Sequence, residues 1–185
     1  DIVDRAAEVS KATIERYFVC AMSDDDTLED AKQWLPQGWS WLEERGSDLG
    51  DCINAACEDI KEETVVVLGS DSPTMPYGRI LEAFNAIESE KRLEKKPFVL
   101  GPTEDGGYYL VAMSQVRREL FSNVIWSTAD VLDKTRQNAL RAGIPLVELE
   151  QGYDIDHVTD FEQALADAEK GEAHRTAKAI KSALF

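Results

Sequence analysis

Positive charge is scarce in this chain: 20 Lys and Arg stand against 36 Asp and Glu, a formal net charge of −16 over 185 residues. Affinity for phosphate polymers comes mainly from Lys and Arg, so this balance disfavours nucleic acid and anionic membrane as partners. Histidine is scarcer still, at His157 and His174 only. His174 falls in a charged terminal helix and reads as solvated, His157 beside Asp156 reads as locally bonded, and no Ser-His-Asp or Cys-His arrangement is evident. The three cysteines, Cys20, Cys52 and Cys57, are an odd number in no metal-like spacing. They read as reduced, packed thiols in a cytoplasmic protein, not as a disulfide frame. No apolar run reaches the about 18 residues of a membrane span, and Asp1 to Ser10 lacks the apolar centre of a signal peptide, so no membrane insertion is expected. Also lacking are the G-x-x-x-x-G-K-[ST] phosphate loop and the G-x-G-x-x-G fingerprint, which disfavours a P-loop NTPase and a Rossmann dehydrogenase.

What is present is an alternation of short apolar runs with helical stripes, over a length and a 43% hydrophobic content that suit one domain, residues 1–185. Val65 to Leu68 reads as a strand buried on both faces, with Gly69-Ser70-Asp71-Ser72-Pro73 leaving its carboxyl end. Further strands are expected at Arg16 to Met22, Gly38 to Leu42, Pro97 to Leu100, Tyr108 to Met113 and Ile144 to Leu149. Helices are expected at Val3 to Ile14, Leu28 to Trp34, Cys52 to Ile60, Tyr77 to Ile87, Val116 to Phe121, Ala129 to Ala142, Thr159 to Glu169 and the C-terminus. Asp24 to Asp26 suit a helix N-cap, with metal binding as the alternative; Asp48 suits another, although Gly46 and Gly50 could also let a ligand approach the backbone closely; Ser127 or Thr128 could cap the helix over Ala129 to Ala142, and Gly143 ends it. The Gly-Pro and Asp-Gly-Gly punctuation between Leu100 and Tyr108 reads as a hairpin at a sheet edge, folding over a site. Strands alternating with helices argue a mostly parallel sheet sandwiched by helices.

Three acidic sites fall in loops at strand ends: Asp71, Glu104 with Asp105, and Asp154 with Asp156. In an open α/β sheet ligands collect at the carboxyl ends of the strands, and hard cations such as Mg²⁺ bridge one or two carboxylates to substrate phosphates. Asp71 and Asp156 could form such a pair; strand alternation would put Asp154 and Asp156 on one face with Ile155 opposite. The alternative is that Asp154 and Asp156 cap the following helix.

Read together, Gly69-Ser70-Asp71-Ser72-Pro73, the segment Leu100-Gly101-Pro102-Thr103-Glu104-Asp105-Gly106-Gly107-Tyr108-Tyr109-Leu110 and Trp126-Ser127-Thr128 form an ordered set. With Gly46 to Gly50 upstream and Asp154-Ile155-Asp156 and Asp160 downstream, the set resembles a bacterial family of nucleotide-diphospho-sugar transferases, over about Arg45 to Phe161. That family includes selenodomain-associated and arsenosugar-biosynthesis glycosyltransferases. The resemblance implies a glycosyltransferase A-type fold, a three-layer α/β/α Rossmann-like sandwich with a mostly parallel central sheet, that binds a nucleotide-sugar and usually Mg²⁺ or Mn²⁺. By that likeness Asp71 and Asp156 hold the cation, and Asp105 orients an acceptor hydroxyl or acts as its base. Gly69, Ser70, Ser72, Gly106, Gly107, Tyr108 and Trp126 then line the substrate, with a core-closing role as the alternative for Trp126.

The expected activity is metal-dependent transfer of a sugar from a nucleotide-diphosphate donor to a small-molecule acceptor, in a chain compatible with a homo-oligomer. The alternatives are a nucleotidyltransferase that releases pyrophosphate from an NTP, and a non-catalytic binding module of the same fold. Two departures bear on phosphate binding. The family's opening pattern F-x-K-x-P-x-x-G-x-x-K-T-R-L has no counterpart in residues 1–44, so the domain is expected to be N-terminally truncated relative to the family. Cys52-Ile53 stands where the family has an Arg-Met pair.

Overall fold

The structure, a computed structural model, describes residues 2–10, 13–20, 37–89, 96–157, 160–170 and 173–184. The elements run α1 (Ile2–Val9), β1 (Tyr17–Cys20), β2 (Ser40–Glu43), α2 (Leu49–Ile60), β3 (Val65–Leu68), α3 (Gly78–Ser89), β4 (Phe98–Pro102) and β5 (Tyr108–Met113). A 3-10 turn at Arg118–Phe121 then leads to α4 (Val131–Ala142), β6 (Leu146–Glu148), α5 (Asp160–Lys170) and α6 (His174–Leu184). The cap expected at Asp24 to Asp26 and the helix expected over Leu28 to Trp34 lie outside the described residues.

Local signals set several boundaries. Asp48 accepts the amide of Asp51 at 2.8 Å and so caps α2, satisfying a donor that the helix itself cannot. Gly143 ends α4 in the left-handed region at φ 61, where glycine carries no Cβ penalty. The first helix is shorter than its stripe implied. It stops at Val9, and Arg16 returns to donate to Asp4 at 2.9 Å.

One sheet has the order β3-β5-β4-β6, and β1 with β2 forms a separate parallel pair. In the larger sheet β3, β4 and β6 share one direction and β5 opposes them. The hairpin expected at a sheet edge is therefore the middle of the sheet, with β5 lying between β3 and β4. All five residues of β4 and Tyr109 to Met113 of β5 are buried, which leaves neither strand a solvent face to place at an edge. β3 is correspondingly less enclosed than expected. Among the described residues it pairs only with β5, and of its residues only Val65 is buried.

Alternation along the strands divides the core. Phe98, Leu100, Val111 and Met113 meet Ile53 and Cys57 of α2, Leu120 and Phe121 of the 3-10 turn, and Leu132 and Ala139 of α4. Val99, Leu110 and Ala112 face Ile80, Ala83 and Ile87 of α3, with Ala6 of α1 and Met75. Helices thus cover both faces, a three-layer α/β/α arrangement. Burying Phe98 and Leu100, each at most 1% exposed, contributes about 1.5–3 kcal/mol apiece. A bulge breaks the alternation: Gly101 pairs with Leu110 and Pro102 with Tyr108, leaving Tyr109 as the extra residue. The bulge puts Tyr109 on the α3 side with Leu110, its ring against the backbones of Gly101 and Gly152. Helices α5 and α6 pack through Ala168, Ala173 and Ala177, with Leu165 and Ile2 against them. No helix among the described residues is long and apolar enough to cross a membrane.

Candidate active site

Three parallel strands, β3, β4 and β6, deliver their carboxyl ends to one rim. After β6 the chain stays beside β4: the Leu149 amide donates to the Leu100 carbonyl and the Gly152 amide to the Pro102 carbonyl, both at 2.8 Å. Thr103 and Gly152 then make a parallel bridge. Two residues beyond it on the two chains stand Asp105 and Asp154. Ile155 donates its amide to the Asp71 carbonyl at 2.9 Å, which ties the same segment to the loop after β3.

Asp105, Asp154 and Asp156 each present a carboxylate oxygen, and these oxygens lie within 4.8 Å of one another. Asp105 and Asp156 are exposed and Asp154 is half-buried. Burial raises the Asp154 pKa above the usual carboxylate value; a backbone hydrogen bond opposes the rise, and the like charges of Asp105, Asp156 and Asp71 add to it. Of the pair Asp71 and Asp156, only Asp156 belongs to the converging group. Asp71 adjoins it through its carbonyl and its charge, while its carboxylate turns back over Gly69, where a Cβ would stand 2.5 Å from Asp71 Oδ1.

The Asp105 turn is tied through Thr103, Asp105, Gly106 and Gly107. Asp105 Oδ1 accepts from Thr103 Oγ1 at 2.5 Å and from the Gly107 amide at 3.0 Å. The Thr103 amide donates to the Gly107 carbonyl at 3.1 Å. Gly106 sits at φ 91 with its Cα facing the Ala129 carbonyl, so a side chain there would be both strained and in collision. Its own carbonyl accepts the Leu132 amide at 2.9 Å, in the first turn of α4. This corrects the expected cap: Asp130 at the N-cap makes no side-chain bond, and Thr128 Oγ1 donates instead to the Ile125 carbonyl at 2.7 Å. The orphan amide of α4 is satisfied by the Asp-Gly-Gly turn.

On the facing loop, Asp160 Oδ2 accepts the amides of Asp156 at 3.0 Å and His157 at 2.7 Å. Asp160, the first residue of α5, thereby ties down the amides of the loop that precedes the helix. Tyr153 donates its hydroxyl to Asp167 Oδ2 at 2.8 Å and accepts from Thr74 Oγ1 at 3.1 Å. Burial, chiefly, pushes the Tyr153 pKa up to about 12, so it remains a neutral strut between the loop after β3 and α5.

The other expected substrate residues are distributed unevenly. Gly69 and Ser70 are exposed beside Asp71, and Ser72 is 3% exposed with its hydroxyl unpartnered among the described residues. Tyr108 leads out of the Gly106-Gly107 turn, and burial raises its pKa. Trp126 packs edge-on to Tyr108 at 6.4 Å and against Phe121 at 6.0 Å, joined to the α2 side of the core. Sequence reasoning named Thr103 and Asp160 within the motif set but gave neither a supporting role. Thr two residues ahead of Asp, and Asp before a helical stripe, are the local side-chain-to-backbone patterns that could have marked them.

Three hard oxygen donors from two loops suit a divalent cation such as Mg²⁺ or Mn²⁺, whose charge would offset three like charges held close together. The residues present therefore fit the metal that the sequence resemblance implies.

The fold is shared with known proteins. A Desulfovibrio desulfuricans G20 protein provisionally assigned as a nucleotide-diphospho-sugar transferase superposes with a TM-score of 0.80 at 25% identity, over 98% of this chain and 79% of that one. CMP:2-keto-3-deoxy-manno-octonic acid synthetase, solved with CTP, superposes with a TM-score of 0.62 at 12% identity, over 91% and 87%. The second likeness is one of fold alone. No curated protein matches the chain. The architecture is that of nucleotide-sugar-related transferases, and by a match over residues 5–128 the chain belongs to the bacterial family DUF2064, described as an uncharacterized protein conserved in bacteria.

Proposed function

We propose that this chain transfers a sugar from a nucleotide-diphosphate donor to a small-molecule acceptor, with Mg²⁺ or Mn²⁺ held by Asp105, Asp154 and Asp156. The observation that carries the reading is the convergence of these carboxylates at the rim of a transferase fold. When bound, the cation supplies Lewis-acid stabilisation of the departing nucleoside diphosphate. Asp105 offers Oδ2 to this task, because Oδ1 is occupied by Thr103 and Gly107. The side-chain faces of Gly106 and Gly107 are filled by the Ala129 carbonyl and by Thr103 with Asp105, so these glycines shape the turn and do not open it to a ligand, while Gly69, Ser70 and Ser72 flank Asp71 in the loop after β3. Asp71 adds negative charge next to the site and so raises the demand for a cation before a diphosphate can enter.

The test is a thermal-shift panel of UDP-, GDP-, CDP- and ADP-sugars with and without Mn²⁺, followed by product analysis. A rise in Tm that needs both metal and one donor, with release of a nucleoside diphosphate, supports the reading. Release of pyrophosphate from an NTP would instead make the chain a nucleotidyltransferase. No shift with any combination would leave it a binding module.

A further inference from the structure

Thr103 is 2% exposed and yet spends every polar atom on the two loops that carry the carboxylates. Its amide donates to the Gly107 carbonyl, and its own carbonyl receives Gln151 Nε2 at 3.3 Å from the facing loop. Its backbone bridges Gly152, and its hydroxyl donates to Asp105 Oδ1 at 2.5 Å. Gly107 has no room for a side chain without pressing this pair, since a Cβ would stand 3.1 Å from Thr103 Oγ1 and 3.2 Å from Asp105 Oδ1.

We infer that Thr103 is a positioning residue that fixes the Asp105 carboxylate rotamer against Asp154, so that a divalent cation meets a preformed set of oxygens. The inference rests on the metal-dependent reading above. Supporting hydrogen bonds to a metal-binding carboxylate orient it, and their loss typically weakens binding by about 10–100-fold. Valine keeps the branched shape of threonine but cannot donate, whereas serine keeps the donor.

The experiment is Mn²⁺ binding to the full chain, followed by calorimetry and by electron paramagnetic resonance, for wild type, Thr103→Val, Thr103→Ser and Asp154→Asn, with circular dichroism as the check on folding. The expected result is a Kd raised about 10-fold or more in Thr103→Val and restored to within about 3-fold of wild type in Thr103→Ser. Wild-type affinity in a folded Thr103→Val, with Asp154→Asn impaired, overturns the role of Thr103 and leaves the metal site standing. Equal weakening in the serine and valine variants also overturns it, because packing and not the hydrogen bond would then be responsible. Should Thr103→Val not fold, Thr103→Ala, which also lacks the hydroxyl, takes its place in the comparison with Thr103→Ser. Absence of saturable Mn²⁺ binding in wild type overturns both readings together.

Discussion

Glu148 closes β6 and Asp154 follows in the loop after it, and their acidities move in opposite directions. Glu148 takes a two-pronged bond from Arg136, Nε to Oε1 at 2.8 Å and NH2 to Oε2 at 2.7 Å, which lowers its pKa. Asp154 meets burial and three more carboxylates, and its pKa rises. One acid is placed where folding wants it and the other where folding resists it. A carboxylate held against its own preference, beside two others at a strand-end rim, is the feature on which the proposed cation site rests.

Substitutions at the rim should break this contrast most sharply. Asp154→Asn and Asp156→Asn should each lower metal-dependent turnover by at least about 100-fold, the upper range for residues that only support a metal ligand; initial rates at saturating Mn²⁺ measure this. Gly106→Ala should destabilise the fold by about 1–3 kcal/mol in urea titrations, because its φ of 91 and the facing Ala129 carbonyl both reject a side chain. Metal-free Asp154→Asn should be more stable than wild type at pH 7 and Glu148→Gln less stable, each by about 0.2–1 kcal/mol, the range for partly exposed charges.

Acid titration sharpens the comparison with a smaller effect. Glu148 has a lowered folded pKa, so its stabilisation is present above the ordinary value of 4.5 and is lost as pH falls through the lowered one. Asp154 has a raised folded pKa, so its penalty is present above that value and is relieved as pH falls towards 3.8. Metal-free Glu148→Gln should therefore lose less stability below pH 4.5 than wild type, and Asp154→Asn should gain less on the way down, both read from unfolding midpoints against pH.

Much of the fold was legible because its signals are local. Val65 to Leu68 is an apolar run ahead of a turn, Asp48 and Gly143 are caps, and Gly106 and Gly107 mark a tight turn; all of these stand in the structure. Strand order is not local. Nothing in Tyr108 to Met113 states that this hairpin strand passes between β3 and β4, and that insertion decides which strand meets solvent. The carboxylate group was half legible for the same reason. Composition and position brought forward Asp71, Asp105, Asp154 and Asp156, but the meeting of Asp105 with Asp154 depends on the pairing of Thr103 with Gly152, across two strands, a 3-10 turn and a whole helix of intervening chain. The direction of the Asp71 carboxylate depends on a turn closing over Gly69, which residue type alone does not reveal.

The Asp-Gly-Gly turn is fastened to β4 on one side and to the first coil of α4 on the other through Gly106 and Leu132. A corner pinned at both ends has no hinge and cannot act as a door. A substitution that loosens this corner would therefore be felt in β4 and α4 together, not in the turn alone.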